Sequence, residues 1–192
     1  MSSDVIPKPR ATQPVGHWFA ALPVNLPRSW MDTLRQGAPH GLRWYEVEDC
    51  HITIAFFGKY RADRLEAVRE VLAQMASLDL AVATGGLKLL PSERRFSAIA
   101  LRLAEEPVAL LEFMRQWSTR LAEAAEVAPD PRPPLPHITV ARPGRRNSLS
   151  EQHVIASWAL GWMGPAVKIH LGRVALYRWA EDRSVSQFRI VE

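Results

Sequence analysis

The chain has 192 residues, 47% of them apolar, which is enough to bury a sizeable core. Lys and Arg outnumber Asp and Glu by 24 to 20 and the isoelectric point is near 9.6, a mildly basic balance that suits an anionic partner or an ordinary solvated surface. A single cysteine, Cys50, excludes an intrachain disulfide framework and a cysteine-based zinc site, and no run reaches 18 apolar residues, so a soluble cytoplasmic protein is expected.

Residues 1–14 contain three prolines, lack the apolar stretch of a signal peptide, and read as a disordered lead-in to a domain over 15–192. The apolar run 18–22 between Gly16 and Pro23 predicts a buried strand, and 27–36 a short helix stopping at Gly37. A strand over 42–47, a turn at 48–50 and a strand over 51–57 ended by Gly58 follow. Leu65, Val68 and Leu72 at helical spacing predict an amphipathic helix over 62–75. Two strands, 80–84 and 87–90, flank a Gly85-Gly86 break, and a third covers 96–103. Leu110, Leu111, Met114, Trp117 and Leu121 form the apolar stripe of a long helix over 107–125, where Trp117 reads as core. The stiff proline-rich segment 129–136 leads directly into a strand over 137–141, and Arg142, Arg145 and Arg146 form a basic loop at its end. A helix over 150–160 and strands over 167–171, 174–179 and 185–191 close the chain. His17, His40, His153 and His170 have no partner motif and read as surface or packing residues.

Two tetrads carry the chemistry: His51-Ile52-Thr53-Ile54 and His137-Ile138-Thr139-Val140, 86 residues apart. In a strand, side chains at i and i+2 share a face about 6.5–7 Å apart, so each imidazole sits beside a threonine hydroxyl. The imidazole can give or take a proton near neutral pH, and the hydroxyl can donate to a phosphate oxygen. Two such strands facing each other would supply a general base, a general acid and two anion donors with no metal. One tetrad alone would be chance. Two, each opening a strand and each followed closely by a Gly or Pro, suggest two similar halves.

With these flanks, His51-Ile-Thr-Ile-Ala-Phe-Phe-Gly58 and Pro136-His-Ile-Thr-Val-Ala-Arg142, the chain resembles the two-histidine (2H) phosphoesterase superfamily. Within it the resemblance is to the bacterial RNA 2′,3′-cyclic phosphodiesterases, also called 2′-5′ RNA ligase-like or LigT-like proteins. The likeness extends over roughly 16–191, with Ile54 and Val140 in place of the usual leucines and a loose match around Leu176-Tyr177-Arg178. It implies a bilobal α+β fold: two antiparallel sheets with helices outside, and a pseudo-twofold cleft with one HxTx motif on each wall.

The implied reaction is metal-independent hydrolysis of an RNA terminal 2′,3′-cyclic phosphate to a 2′-phosphomonoester, with 2′-5′ ligation as its reverse. His51 would be the proton donor to the leaving oxygen and His137 the acceptor from water, although near-symmetry leaves the two roles interchangeable on the residues alone. Thr53 and Thr139 would hold the non-bridging oxygens. Arg142 is a further clamp only if the strand end redirects it, since strict alternation turns it away from His137. Phe56 reads either as a base-stacking residue, by the resemblance, or as core. No cofactor, metal, membrane or oligomer is called for, and a monomer is expected. Three other readings stay open: a phosphodiesterase acting on another small cyclic or 2′-5′-linked nucleotide, a non-catalytic RNA-binding module held by the loop arginines, and a metal hydrolase, disfavoured because no H-x-x-x-H or carboxylate cluster lies near either tetrad.

Overall fold

The structure, a computed structural model, describes residues 15–62, 65–183 and 186–191; the expected lead-in over 1–14 and Val185 lie outside them. Alternating β-branched and aromatic residues set the strands, and helical apolar stripes set the helices, close to where the sequence places them. β1 (Val15–Pro23) is followed by α1 (Arg28–Gln36), which starts after Pro27 and ends at Gly37. β2 is confined to Leu42–Trp44, shorter than the expected 42–47. The acidic residues after it compete for the backbone: a 3-10 turn, Val47–Asp49, is closed by a reciprocal capping pair between Glu46 and Asp49.

β3 (His51–Arg61) runs through Gly58 rather than stopping there. Gly58 takes φ +71° and lies opposite Trp18 while Phe56 lies opposite Phe19, so the glycine serves a β-bulge within the strand. Of the helix expected over 62–75, the described residues carry α2 (Glu66–Gln74), with Leu65 as its N-cap, and residues 63 and 64 lie outside them. Gly85 and Gly86 likewise do not break the chain: β4 (Leu80–Pro91) is continuous and absorbs them in a bulge between Thr84 and Leu87. β5 (Phe96–Leu103), α3 (Val108–Ala124) and β6 (His137–Pro143) follow. α4 (Leu149–Gly161) opens on Ser148, whose side chain accepts from the Glu151 amide while Glu151 reaches back to the Ser148 amide. The described chain ends with β7 (Lys168–Leu171), β8 (Ala175–Trp179) and β9 (Phe188–Ile190).

The strands form two antiparallel sheets, in the orders β3-β1-β8-β9 and β2-β6-β5-β4-β7. One motif strand lies in each sheet, and β3 packs against β6 where the sheets meet. α3 covers β3, α2 packs on α3, and α4 covers β4. Each sheet therefore has one face turned to helices and one turned to the cleft. The helix-side faces share a continuous core that includes Trp18, Leu22, Ile52 and Phe57 from the first sheet and Leu89, Ile99, Leu101 and Ile138 from the second. Each fully buried aliphatic side chain there contributes roughly 1.5–3 kcal/mol. A smaller cluster, Phe19, Ala21 and Tyr177 with Trp179 and Phe188 against it, lies on the cleft face of the first sheet.

Candidate active site at the junction of the two sheets

Both motif strands begin at their histidine, and both show the same burial order from that residue: the histidine and threonine are half-buried, the residues between and after them buried. Each imidazole is fixed by the same local contact. His51 Nδ1 lies 2.6 Å from the Asp49 carbonyl and His137 Nδ1 lies 2.7 Å from the Leu135 carbonyl, both two residues upstream. A carbonyl only accepts, so each ring donates from Nδ1 and keeps Nε2 as its basic nitrogen. The prolines contribute directly. Leu135 precedes Pro136, which restricts it to extended backbone and aims its carbonyl forward.

Burial depresses the basicity of both rings. His51 is pushed down to about 4, first by desolvation, which the Asp49 carbonyl opposes, and then by the positive charge that His137 and Arg142 bring near it. His137 is also lowered, by desolvation first, against the Leu135 carbonyl, with Lys88 and Arg142 adding to the shift. His51 therefore senses His137, and Arg142 lowers both. Lys88 follows from register: it lies opposite Ala100 on β5, which lies opposite Thr139 on β6, so these three share one row across the sheet.

Arg142 joins this face for a reason that strict alternation misses. The β5 partners Ile99 and Ala100 are consecutive, whereas their β6 partners are Ala141 and Thr139, so Val140 is an extra residue. Val140 and Ala141 are both buried, the alternation slips by one, and Arg142 returns to the side of His137 and Thr139. Its Nε donates to the Tyr45 hydroxyl at 2.8 Å and its Nη1 to the Ser97 carbonyl at 3.3 Å. The same slip occurs on β3. Ala20 and Ala21 face Ala55 and Thr53, Ile54 is the extra residue, and Phe56 emerges on the side of His51 and Thr53. Phe56 is 55% exposed, not core, and its ring lies 6.5 Å from Phe19 and 6.2 Å from His17. Phe56 and Arg142 thus occupy equivalent positions, five residues after their histidines, on opposite walls.

Several residues of this site escaped sequence reasoning. Phe19, Tyr177 and Phe188 surround the His51 ring at 4.9, 5.3 and 5.0 Å between centroids. Tyr45 bridges the walls, edge-on to Phe188 at 5.6 Å and bonded to Arg142. His17 stacks on Trp179 at 4.0 Å and so belongs to the cleft face, whereas His40, His153 and His170 are exposed. Asp49 is buried and ties the start of β3 to the C-terminal strand: its carboxylate accepts from the Ser186 hydroxyl at 2.8 Å and from the amides of Gln187 and Phe188 at 2.9 and 3.1 Å. Burial pushes the Cys50 thiol up to about 12, which removes it as a nucleophile. Among the described residues no three His, Cys, Asp or Glu side chains gather as a metal site, and no helix is long and apolar enough to cross a membrane.

Known proteins share this fold. A family model described as LigT like Phosphoesterase matches residues 25–99, which include the first motif strand. Escherichia coli LigT, solved in complex with 3′-AMP, is 15% identical, covers 93% of this chain and 97% of its own, and superposes with a TM-score of 0.67. The same protein complexed with NADP+ is 16% identical over 93% of this chain and 95% of its own, TM-score 0.63. The TT0787 protein of Thermus thermophilus is 18% identical over 92% of this chain and 95% of its own, TM-score 0.63. No curated protein sequence matches the chain. Residues 25–99, which include the first motif strand, thus match a LigT-like phosphoesterase family model, and the fold of nearly the whole chain is similar to that of LigT.

Proposed function

We propose that the protein hydrolyses the terminal 2′,3′-cyclic phosphate of RNA to a 2′-phosphomonoester, with His51 and His137 as the proton-transfer pair. The observation that carries this reading is the duplicated holding of the two imidazoles, each donating from Nδ1 to the carbonyl two residues upstream and each flanked by a threonine at i+2. A phosphorus between the rings would meet Nε2 from two sides, as an in-line displacement requires. Water attacks phosphorus and gives its proton to His137. The bond from phosphorus to the ribose 3′-oxygen breaks, and protonated His51 supplies the proton to that oxygen. Thr53, Thr139 and Arg142 donate to the non-bridging oxygens as their charge grows. Proton positions have then exchanged between the rings and reset through solvent. In the ligase direction the two roles reverse.

Burial leaves both rings neutral in the free protein near pH 7. The proton on the donor ring is stabilised by the substrate itself, since a phosphate anion beside two imidazoles raises their basicity. E. coli LigT has been solved with 3′-AMP, ATP and NADP+, so nucleotides fit this fold, and another small cyclic or 2′-5′-linked nucleotide is the second reading.

The test is hydrolysis of a short RNA with a 2′,3′-cyclic phosphate end, in EDTA, by wild type, His51→Ala and His137→Ala. Each substitution should lower kcat by roughly 10²- to 10⁴-fold while the fold is kept, and the product should be a 2′-phosphate. Turnover of small nucleotides alone would favour the second reading. RNA binding without turnover would make the protein a binding module, and turnover surviving both substitutions would remove the histidines from the reaction.

A further inference from the structure

Beside the histidines lies a cavity of about 250 Å³ lined by Arg43, Trp44, Tyr45, Arg142, Arg183 and Gln187. Three of the six lining residues are arginines and none is acidic. Two of these arginines oppose each other directly: Arg43 on β2 is the cross-strand partner of Arg142 on β6. Like charges so placed repel and cost stability unless an anion lies between them. The third arrives from the other sheet's end of the chain. Arg183 lies over the Trp179 ring at 4.3 Å and donates from Nη2 to Gln187 Oε1 at 2.7 Å, both neutral partners, and its buried Nε has no partner among the described residues. Arg142 is anchored on the neutral Tyr45 hydroxyl and the Ser97 carbonyl. Aromatic and amide contacts among the described residues thus orient the guanidiniums of Arg142 and Arg183, and none of these contacts carries a negative charge.

Resting on the phosphoesterase reading of the adjacent cleft, we infer that this three-arginine cavity is a subsite for a second phosphate group of the substrate. A planar guanidinium fork matches phosphate geometry better than any other side chain, and three converging forks in a recess concentrate positive potential. Pockets that enclose a whole small molecule run from about 300 Å³ upwards. At about 250 Å³ this one takes a group of the substrate, not a second nucleotide. Arg142 fixes the geometry. It faces both this cavity and the two histidines, so the second phosphate belongs to the same molecule as the reacting one. Two sources share that chemistry: the internucleotide phosphate preceding the cyclic end of an RNA, and the 5′-phosphate of a mononucleotide. In either case the enzyme selects substrates with two phosphates over a bare nucleoside cyclic phosphate.

The experiment compares kcat/KM for three substrates: a nucleoside 2′,3′-cyclic phosphate, the same compound carrying a 5′-phosphate, and a dinucleotide ending in the cyclic phosphate. Wild type should prefer at least one phosphorylated substrate by about tenfold or more, mainly through KM, and which one identifies the source. Arg43→Gln and Arg183→Gln should each shrink that preference severalfold, and together bring it near one. Equal kcat/KM for all three substrates, or variants that lower all three alike, would overturn the proposal. A second measurement does not depend on turnover: calorimetric binding of adenosine 3′,5′-bisphosphate and adenosine 3′-monophosphate. Tighter bisphosphate binding by about tenfold, lost in the variants, supports the subsite even if no cyclic phosphate is hydrolysed, and equal binding overturns it. Should Arg183→Gln fail to fold because its ring contact is lost, exposed Arg43 carries the test by itself.

Discussion

At the scale of single residues, the two motif histidines are defined by what holds them more than by what they touch. Each ring spends Nδ1 on a backbone carbonyl, so neither tautomer nor orientation depends on a neighbouring side chain. The cost appears in stability against pH. His51 titrates near 4 in the folded chain and near 6.5 when unfolded, so between those values the unfolded chain binds a proton that the folded chain does not. The contribution is complete above pH 6.5 and is lost as pH falls towards 4, by on the order of 1–3 kcal/mol, and lowered His137 acts with the same sign. Urea unfolding of wild type and His51→Gln at pH 7.5, 5.5 and 4.5 checks this: the loss over that interval should be smaller in the variant. Parallel losses would mean that His51 is not held neutral by burial.

At the scale of elements, two devices bring the site together. The first is the paired bulge at Ile54 and Val140, which turns Phe56 and Arg142 back onto the cleft face. The second is Asp49, whose carboxylate receives Ser186, Gln187 and Phe188 and so presses Phe188 against the His51 ring. Removing it takes the acceptor from two part-buried amides, at roughly 1–3 kcal/mol each at most. Asp49→Ala should therefore lower unfolding free energy by about 2–4 kcal/mol and reduce activity, whereas exposed Asp32→Ala should stay within about 0.5 kcal/mol. Denaturant midpoints of the two variants decide the matter, and equal midpoints would show that the carboxylate is not a clamp.

At the scale of the whole molecule, the cleft has two walls but the protein has one main core. Residues from both sheets and from α1, α3 and α4 belong to the same buried cluster, so neither sheet can lose its helix-side packing alone. A single cooperative unfolding transition is expected, with tryptophan fluorescence and far-UV circular dichroism coinciding. Trp18 reports from the first sheet, and Trp44 and Trp158 from the second sheet and α4, at 6.2 Å from each other. Two separated transitions would mean that the walls fold independently. The symmetry is also incomplete. β2, from the first half of the chain, pairs with β6 in the second sheet, and it is this crossing that delivers Arg43 and, just beyond it, Tyr45 beside Arg142.

The amino-acid sequence by itself determined the two histidine-threonine pairs, because a period-two alternation of β-branched and polar residues leaves those side chains one available face. It also located α1, α3 and β5 closely, since apolar stripes, Pro27, Pro107 and Gly37 are local signals that tertiary packing does not override. Gly58 and the Gly85-Gly86 pair predict strand ends from local sequence, yet both lie inside strands. A glycine relaxes the backbone equally for a turn and a bulge, and the choice depends on whether a partner strand continues alongside. Arg142 and Phe56 turn on the same kind of information, because a bulge is a property of two strands in register and leaves no mark in either alone. Lys88, Tyr45, Phe188, Asp49 and the three-arginine cavity were decided only by the tertiary structure: their residues are tens of positions apart, and long-range strand pairing alone brings them together.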